Sequence, residues 1–154
     1  MIKIKKGIPL IDQHDKHGFW GGKFGGSYIP ETLRKPIDDL TIKFEKLRKD
    51  KKFLAERDYY YNNWVHNGPT PFIKLNNLTY HLGGAQIYAK VVSAARGGAH
   101  KIYGAITAAM LCKRMGKRHL ISDTGAGYNG KMFSIAAKHF GLKCTIFMGH
   151  KDYL

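Results

Sequence analysis

Acidic residues are scarce in this chain. Its 154 residues include 11 Asp and Glu against 26 Lys and Arg, a formal net charge of +15 with His neutral. Between Tyr59 and Lys151 the only acid is Asp123. Cysteine is scarcer still. Cys112 and Cys144 are too few for a disulfide framework or a cysteine zinc site, so no metal is expected. A reducing, cytoplasmic setting fits this usage, an organelle being the alternative. No apolar run approaches about 18 residues, which excludes a transmembrane helix. Residues 1–6 carry charge without the apolar stretch of a secretory signal. Internal repeats and low-complexity linkers are missing as well. What is there, 44% hydrophobic with 12% aromatic residues, is the composition of a globular chain. Its length suits one domain or part of a larger one.

A strongly basic balance is a footprint of nucleic-acid binding when the bases cluster on one face. Here they are spread along the chain. The densest run, Lys46-Leu47-Arg48-Lys49-Asp50-Lys51-Lys52, is interrupted by an acid and reads as a solvated helix end and turn. Lys outnumbers Arg by 20 to 6, which points to solubility as much as to phosphate recognition. Neither nucleic acid nor a membrane is therefore the expected partner. The isolation of Asp123 says more. A carboxylate beside Gly125-Ala126-Gly127, in an otherwise basic half, is a candidate general acid/base or ligand contact. A helix cap or a turn is the structural alternative.

Residues 1–18 show little periodicity and read as an irregular arm. From Gly18 to Tyr28, glycines mix with aromatic residues, as in a loop whose rings pack onto something. Pro30-Glu31-Thr32 opens a helix. Along it Leu33, Ile37, Leu40, Phe44 and Leu47, at spacings of 4, 3, 4 and 3, form one apolar stripe expected to belong to a core face. A second helix is expected over 50–63. Gly68-Pro69-Thr70-Pro71 breaks the chain, and a short helical turn over 76–82 ends at Gly83-Gly84. The pattern then reads strand 85–92, glycine loop 96–101, helix 102–115 stopped by Gly116, and strand 118–122. Glycine loop 123–130, helix 131–140 stopped by Gly141, and strand 142–148 follow. The fold class is α/β: a helical N-terminal segment plus a short β-α-β-α-β parallel sheet covered by helices.

Both glycine loops fall after a strand and before a helix. Ligands of open α/β sheets bind at the carboxyl ends of strands, so both loops can face one crevice. N–H groups at a helix start attract anions. The second loop, Gly125-Ala126-Gly127-Tyr128-Asn129-Gly130, satisfies G-x-G-x-x-G, with Asp152 about 20 residues on. Alone it suggests a dinucleotide such as NAD or FAD, but Asp152 falls beyond the third strand instead of at its end. The first loop carries Lys101 at the helix start, where the helix dipole disfavours a cation. An amine there is a candidate nucleophile; simple exposure is the alternative.

Gly97-Gly98-Ala99-His100-Lys101, followed about twenty residues later by Asp123-Thr124-Gly125-Ala126-Gly127, resembles the tryptophan synthase β chain family. So do Phe24-Gly25-Gly26-Ser27-Tyr28-Ile29-Pro30-Glu31, Gly68-Pro69-Thr70-Pro71, Lys113-Arg114-Met115-Gly116-Lys117, and Phe140-Gly141-Leu142-Lys143-Cys144 with Met148-Gly149. The blocks keep the family's order and spacing over residues 19–152.

That family belongs to the fold type II pyridoxal phosphate (PLP) enzymes. The resemblance implies that residues 19–154 are the N-terminal portion of such a PLP domain, its second half absent, an incomplete fold type II architecture. It implies condensation of L-serine with indole to L-tryptophan and water, beside an α chain or in a homodimer. Lys101 would hold PLP as a Schiff base and shuttle the serine α-proton, with His100 near the cofactor phosphate. Thr124, Gly125, Ala126 and Gly127 would hold the substrate carboxylate.

The departures from the family are specific. Asp123 replaces its catalytic Glu and is one methylene shorter; a misplacement of about an ångström can cost about 100-fold in rate. Tyr103 stands where the family has an Asn two residues after the lysine. Tyr128-Asn129 replaces Gln-His, and Lys90-Val91-Val92-Ser93 replaces Lys-Arg-Glu-Asp. Impaired activity is expected of this truncated chain. The alternative is an inactive remnant serving as a binding or interaction module.

Overall fold

A computed structural model describes residues 5–15, 18–26 and 28–153. Parts of the expected arm over 1–18, and Ser27 of the 24–31 block, lie outside the described residues. The chain divides into two compact units, Met1–Thr41 and Ile42–Leu154.

In the first unit a 3-10 turn, Leu10–Asp12, precedes two short strands, β1 (Phe19–Trp20) and β2 (Phe24–Gly25), paired antiparallel. The aromatic residues of this segment do pack, on near neighbours. Trp20 Nε1 donates to the Leu10 carbonyl at 2.7 Å, and its ring meets His14 edge-on at 5.3 Å. Phe19 meets Tyr28 edge-on. Gly25 is required where it stands: its φ is +98°, and a Cβ would come within 2.4 Å of the Gly18 carbonyl oxygen.

Helix α1 (Glu31–Leu47) begins just after Pro30 and takes Pro36 in an early turn. Its stripe follows the expected helical period, but the expected core role holds only at the end. Leu47 is 5% exposed, whereas Leu33 is 50%, Ile37 and Leu40 are each 37%, and Phe44 is 43% exposed. The period makes the stripe, but burial needs an opposing surface as well.

In the second unit α2 (Lys51–Tyr60) is capped by Asp50, whose carboxylate accepts from Lys52 N at 2.8 Å and Phe53 N at 3.1 Å. Those bonds hold the Asp50 carboxyl below its usual range. The helix continues as a π turn over Tyr61–Val65. Strand β3 (Phe72–Lys74), helix α3 (Asn76–Leu82) and strand β4 (Tyr88–Lys90) follow. Then come α4 (Lys101–Arg114), β5 (His119–Thr124), α5 (Tyr128–His139), β6 (Lys143–Met148) and a last turn, α6 (His150–Tyr153).

The α/β class stands, built on the parallel pair β5–β6 in the register His119↔Lys143 to Thr124↔Met148. One expected strand pairs elsewhere. The 85–92 segment does not join the parallel sheet; β4 pairs antiparallel with β3, Ile73 opposite Ala89. Gly83 and Gly84, at φ +66° and +84°, turn the chain back after α3. The returning strand is then tied by Leu75 N to Ile87 O at 2.9 Å and by Val91 N to Pro71 O at 2.9 Å. Periodicity reveals a strand but not its partner.

The core lies between α4, α5 and the sheet. Ile102, Ala105, Ile106, Ala109 and Met110 of α4 are buried with Met132, Ala136 and Ala137 of α5 and Leu120 of β5. The alanines let the two helices approach closely, and Ile106, Met110 and Met132 fill the space. Phe53 and Val65 bring α2 and the π turn onto α4. Tyr61 locks that contact, its hydroxyl lying 3.1 Å from Tyr103 O and 2.7 Å from Thr107 Oγ1. An Arg114–Glu56 ion pair adds a second tie.

A ring cluster closes the other end. Arg96 Nε donates to Trp64 O at 2.8 Å, its guanidinium lies 4.5 Å from the Trp64 ring, and His139 lies 4.5 Å from the same ring. Partial burial among Tyr60, Trp64 and Phe140, and then the Arg96 charge, push the His139 pKa below its ordinary 6.5. The fold therefore favours the neutral ring, and the unfolded chain binds the proton first. Above pH 6.5 the group is without cost; as pH falls through that value toward the folded pKa it destabilises the fold. Urea midpoints are expected to be lower at pH 5.5 than at pH 7.5, and His139→Phe is expected to shrink that difference.

Candidate active site

The two glycine loops meet. The first descends from β4 through 3-10 turns at Val92–Ala94 and Arg96–Gly98 to the start of α4. Gly97 has φ +81°, and a Cβ there would sit 2.5 Å from Met132 Cε of α5. This close passage brings the first loop against the helix that the second loop begins. The second loop is shorter than its expected span of 123–130: Asp123 and Thr124 end β5, Gly125-Ala126-Gly127 turn, and α5 starts at Tyr128. The ladder explains this, because Asp123 and Thr124 still pair with Phe147 and Met148. Gly130 belongs to the helix and lies flush on the sheet, its missing Cβ only 2.7 Å from Ile146 Cγ2.

Between the loops is a cleft of about 440 Å³. Of the residues singled out in the sequence, His100, Lys101, Thr124, Gly125 and Ala126 line it. Gly127 sits just behind as the residue before α5, at φ +87°. Asp123 does not line it. Strand alternation buries Leu120 and Thr124 and exposes Ile121 and Asp123, so the Asp123 side chain leaves the opposite face from Thr124. Its carboxylate has no hydrogen-bond or ion-pair partner among the described residues.

Lys101 is exposed, and its amine likewise has no partner among the described residues. Thr124 is 9% exposed, and its hydroxyl, although buried, has no hydrogen-bond partner among the described residues. A buried hydroxyl without a partner in a residue that lines a cleft is uncommon in a folded protein and marks Thr124 as a candidate ligand contact. Gly127 brings no side chain to the first N–H groups of α5, which leaves them for an anion. An amine and an anion-receiving turn thus share one opening.

Tyr103 faces away. Its ring packs edge-on to Tyr61 at 5.0 Å and tilts toward His66 at 5.9 Å, and burial raises its phenol pKa. Tyr128 and Asn129 also line the cleft; the sequence flagged them as departures from the family but not as site residues. Burial pushes the Cys112 thiol up, which keeps it protonated and unreactive. A second hollow, about 480 Å³, lies between the end of α1, α2 and the outer face of α4. Its walls are apolar apart from Arg48, Arg57 and Thr107, with no group suited to acid, base or covalent chemistry. Among the described residues no three His, Cys, Asp or Glu side chains gather to hold a metal, and no helix is long and apolar enough to cross a membrane.

The class follows from this arrangement: an α/β chain with a lysine at a helix start, facing an anion-receiving turn across one cleft. The chain belongs to the pyridoxal-phosphate dependent enzymes, whose family model matches residues 64–152 and so includes both loops and all of the cleft. The residues present fit that cofactor in part. An aldehyde needs an amine, and Lys101 offers one without a competing partner.

Proposed function

We propose that this chain is a tryptophan synthase β-type polypeptide that binds PLP at Lys101 and acts on L-serine and indole. The observation that carries the reading is the single cleft that Lys101 and Thr124 both line. When bound, the cofactor supplies an aldehyde for the amine and a ring that draws electron density from the substrate α-carbon. Lys101 Nζ would hold the cofactor and then take and return the serine α-proton. His100 would lie toward the cofactor phosphate. The Thr124 hydroxyl and the N–H groups of Gly125, Ala126 and Gly127 would hold the serine carboxylate. The resemblance gives the Asp123 carboxyl the tasks of protonating the departing serine hydroxyl and orienting indole; because its side chain leaves β5 on the face opposite Thr124, it takes that role only if the end of β5 turns toward the cleft when ligands bind.

A second reading, a non-catalytic interaction module, has its own support. Ile121 and Phe147, 60% and 62% exposed, accompany Asp123 on the open face of β5–β6. A partner such as an α chain or a second copy would meet surfaces of this kind.

Titration with PLP decides first. The wild-type chain is expected to develop a visible absorption band, with the cofactor located on Lys101 after borohydride reduction and peptide mass analysis; Lys101→Ala is expected to lose both. A wild-type chain without the band would sink the reading. Serine-plus-indole turnover then separates enzyme from remnant. Asp123→Glu is expected to raise that turnover by about 100-fold if carboxylate reach limits it.

A further inference from the structure

We propose that Asn129 is a positioning residue that clasps the turn Thr124-Gly125-Ala126-Gly127 in its anion-receiving shape before any ligand arrives. The inference rests on the reading above, in which this turn receives a carboxylate. Asn129 lies in the first turn of α5, yet its side chain reaches back to β5. Nδ2 donates to the Asp123 carbonyl at 2.8 Å and to Ser122 Oγ at 2.9 Å. These bonds join the end of the strand to the start of the helix and close a ring around the turn between them.

The turn needs such a tie. Two of its residues are glycines, which lose the most backbone freedom on ordering. Ala126 is exposed, and a Cβ at Gly125 would meet nothing within 4 Å. Inside the ring Gly127 N donates to Gly125 O at 2.8 Å. The clasp consumes none of the groups that face the cleft. Among the described residues the buried Thr124 hydroxyl remains without a partner, and the first N–H groups of α5 receive no side-chain cap. Asn129 therefore holds the loop as a cap would, while leaving the donors to a ligand. Ordering the turn in advance lowers the entropic cost of binding.

Amide hydrogen exchange on the full chain without cofactor tests the clasp directly. Asn129→Ala removes the side chain. Asn129→Asp keeps its size, cannot donate, and adds a negative charge that favours a helix start. In both variants exchange at Gly127, whose N–H is bonded to Gly125 O, is expected to quicken about tenfold while α4 is unchanged. Unchanged exchange at the turn overturns the proposal. So does loosening in Asn129→Ala that Asn129→Asp restores, because charge and packing would then explain it. In chain loaded with PLP, the L-serine concentration that half-saturates the spectral change is expected to rise about tenfold in both variants, the cofactor band keeping its intensity. An unchanged serine midpoint overturns the ligand role of the clasp. If the wild type takes up no PLP, the tryptophan synthase reading fails, and exchange still decides whether Asn129 holds the turn.

Discussion

Ile106→Ala is expected to lower the unfolding free energy by about 3 kcal/mol, the middle of the range for truncating a fully buried aliphatic side chain. Ile106 is 0% exposed at the centre of α4. Its neighbours in the core include Ala105 and Ala109, side chains too short to move into the vacated volume. Collapse is therefore poor, and the cavity adds to the lost transfer energy. Against a typical domain stability of about 5–15 kcal/mol the loss is large. Equilibrium urea denaturation is expected to show a midpoint lower by about 1 M or more with the slope unchanged. A shift below about 0.3 M would mean that α4 and α5 do not pack as described. The substitution touches no group in the cleft, so PLP uptake by the folded fraction should survive.

Gly130→Val is expected to damage stability and site together. An ideal Cβ at Gly130 meets Ile146 Cγ2 at 2.7 Å and Thr124 Cγ2 at 3.3 Å. Ile146 is fixed by its place in the β5–β6 ladder, opposite Ser122, so it has little room to yield. Valine adds two further methyls at this contact. Overpacking of this kind costs about 1–3 kcal/mol, while the gain in helix propensity from removing glycine returns less than about 1 kcal/mol. The net expectation is a loss of about 2 kcal/mol. Relief comes by lifting α5 from the sheet, which carries the turn Gly125-Ala126-Gly127 at its start out of place beside Lys101. PLP uptake or serine response should therefore fall in the folded protein, in contrast to Ile106→Ala. Gly130→Ala is the milder control and should lie between wild type and valine in both measurements.

The two substitutions separate what was legible in the sequence from what was not. The helices were legible because their signals are local. Asp50 caps α2 with its own side chain, Gly116 and Gly141 take the positive φ that ends α4 and α5, and the apolar period marks each buried face. The cleft residues His100, Lys101, Thr124, Gly125 and Ala126 were legible for a related reason: each glycine loop joins a strand or turn to a helix start, and two such loops converge at one end of an α/β unit. Gly130 was misplaced in the loop because a G-x-G-x-x-G spacing does not say where the helix begins. Only its contact with Ile146 shows a glycine kept for close packing.

Local signals also set the limit. The stripe from Leu33 to Phe44 has a helical period, but period does not supply the surface that covers it. The segment at 85–92 has strand character, but its partner is β3, chosen by the turn at Gly83-Gly84 and by bonds to Pro71 and Leu75. Asp123 is the lone acid of its half, but strand alternation sends it to the face opposite Thr124. The reach of Asn129 back to Ser122 joins residues seven apart across a turn whose geometry no pattern states. By itself the sequence determined helices α1 to α5, the α/β class and the places of both glycine loops, because caps, glycine stops and periodicity act within a few residues. The tertiary structure alone decided which strands pair, which apolar stripe is buried and which side chains share the cleft, because these depend on contacts between segments distant in the chain.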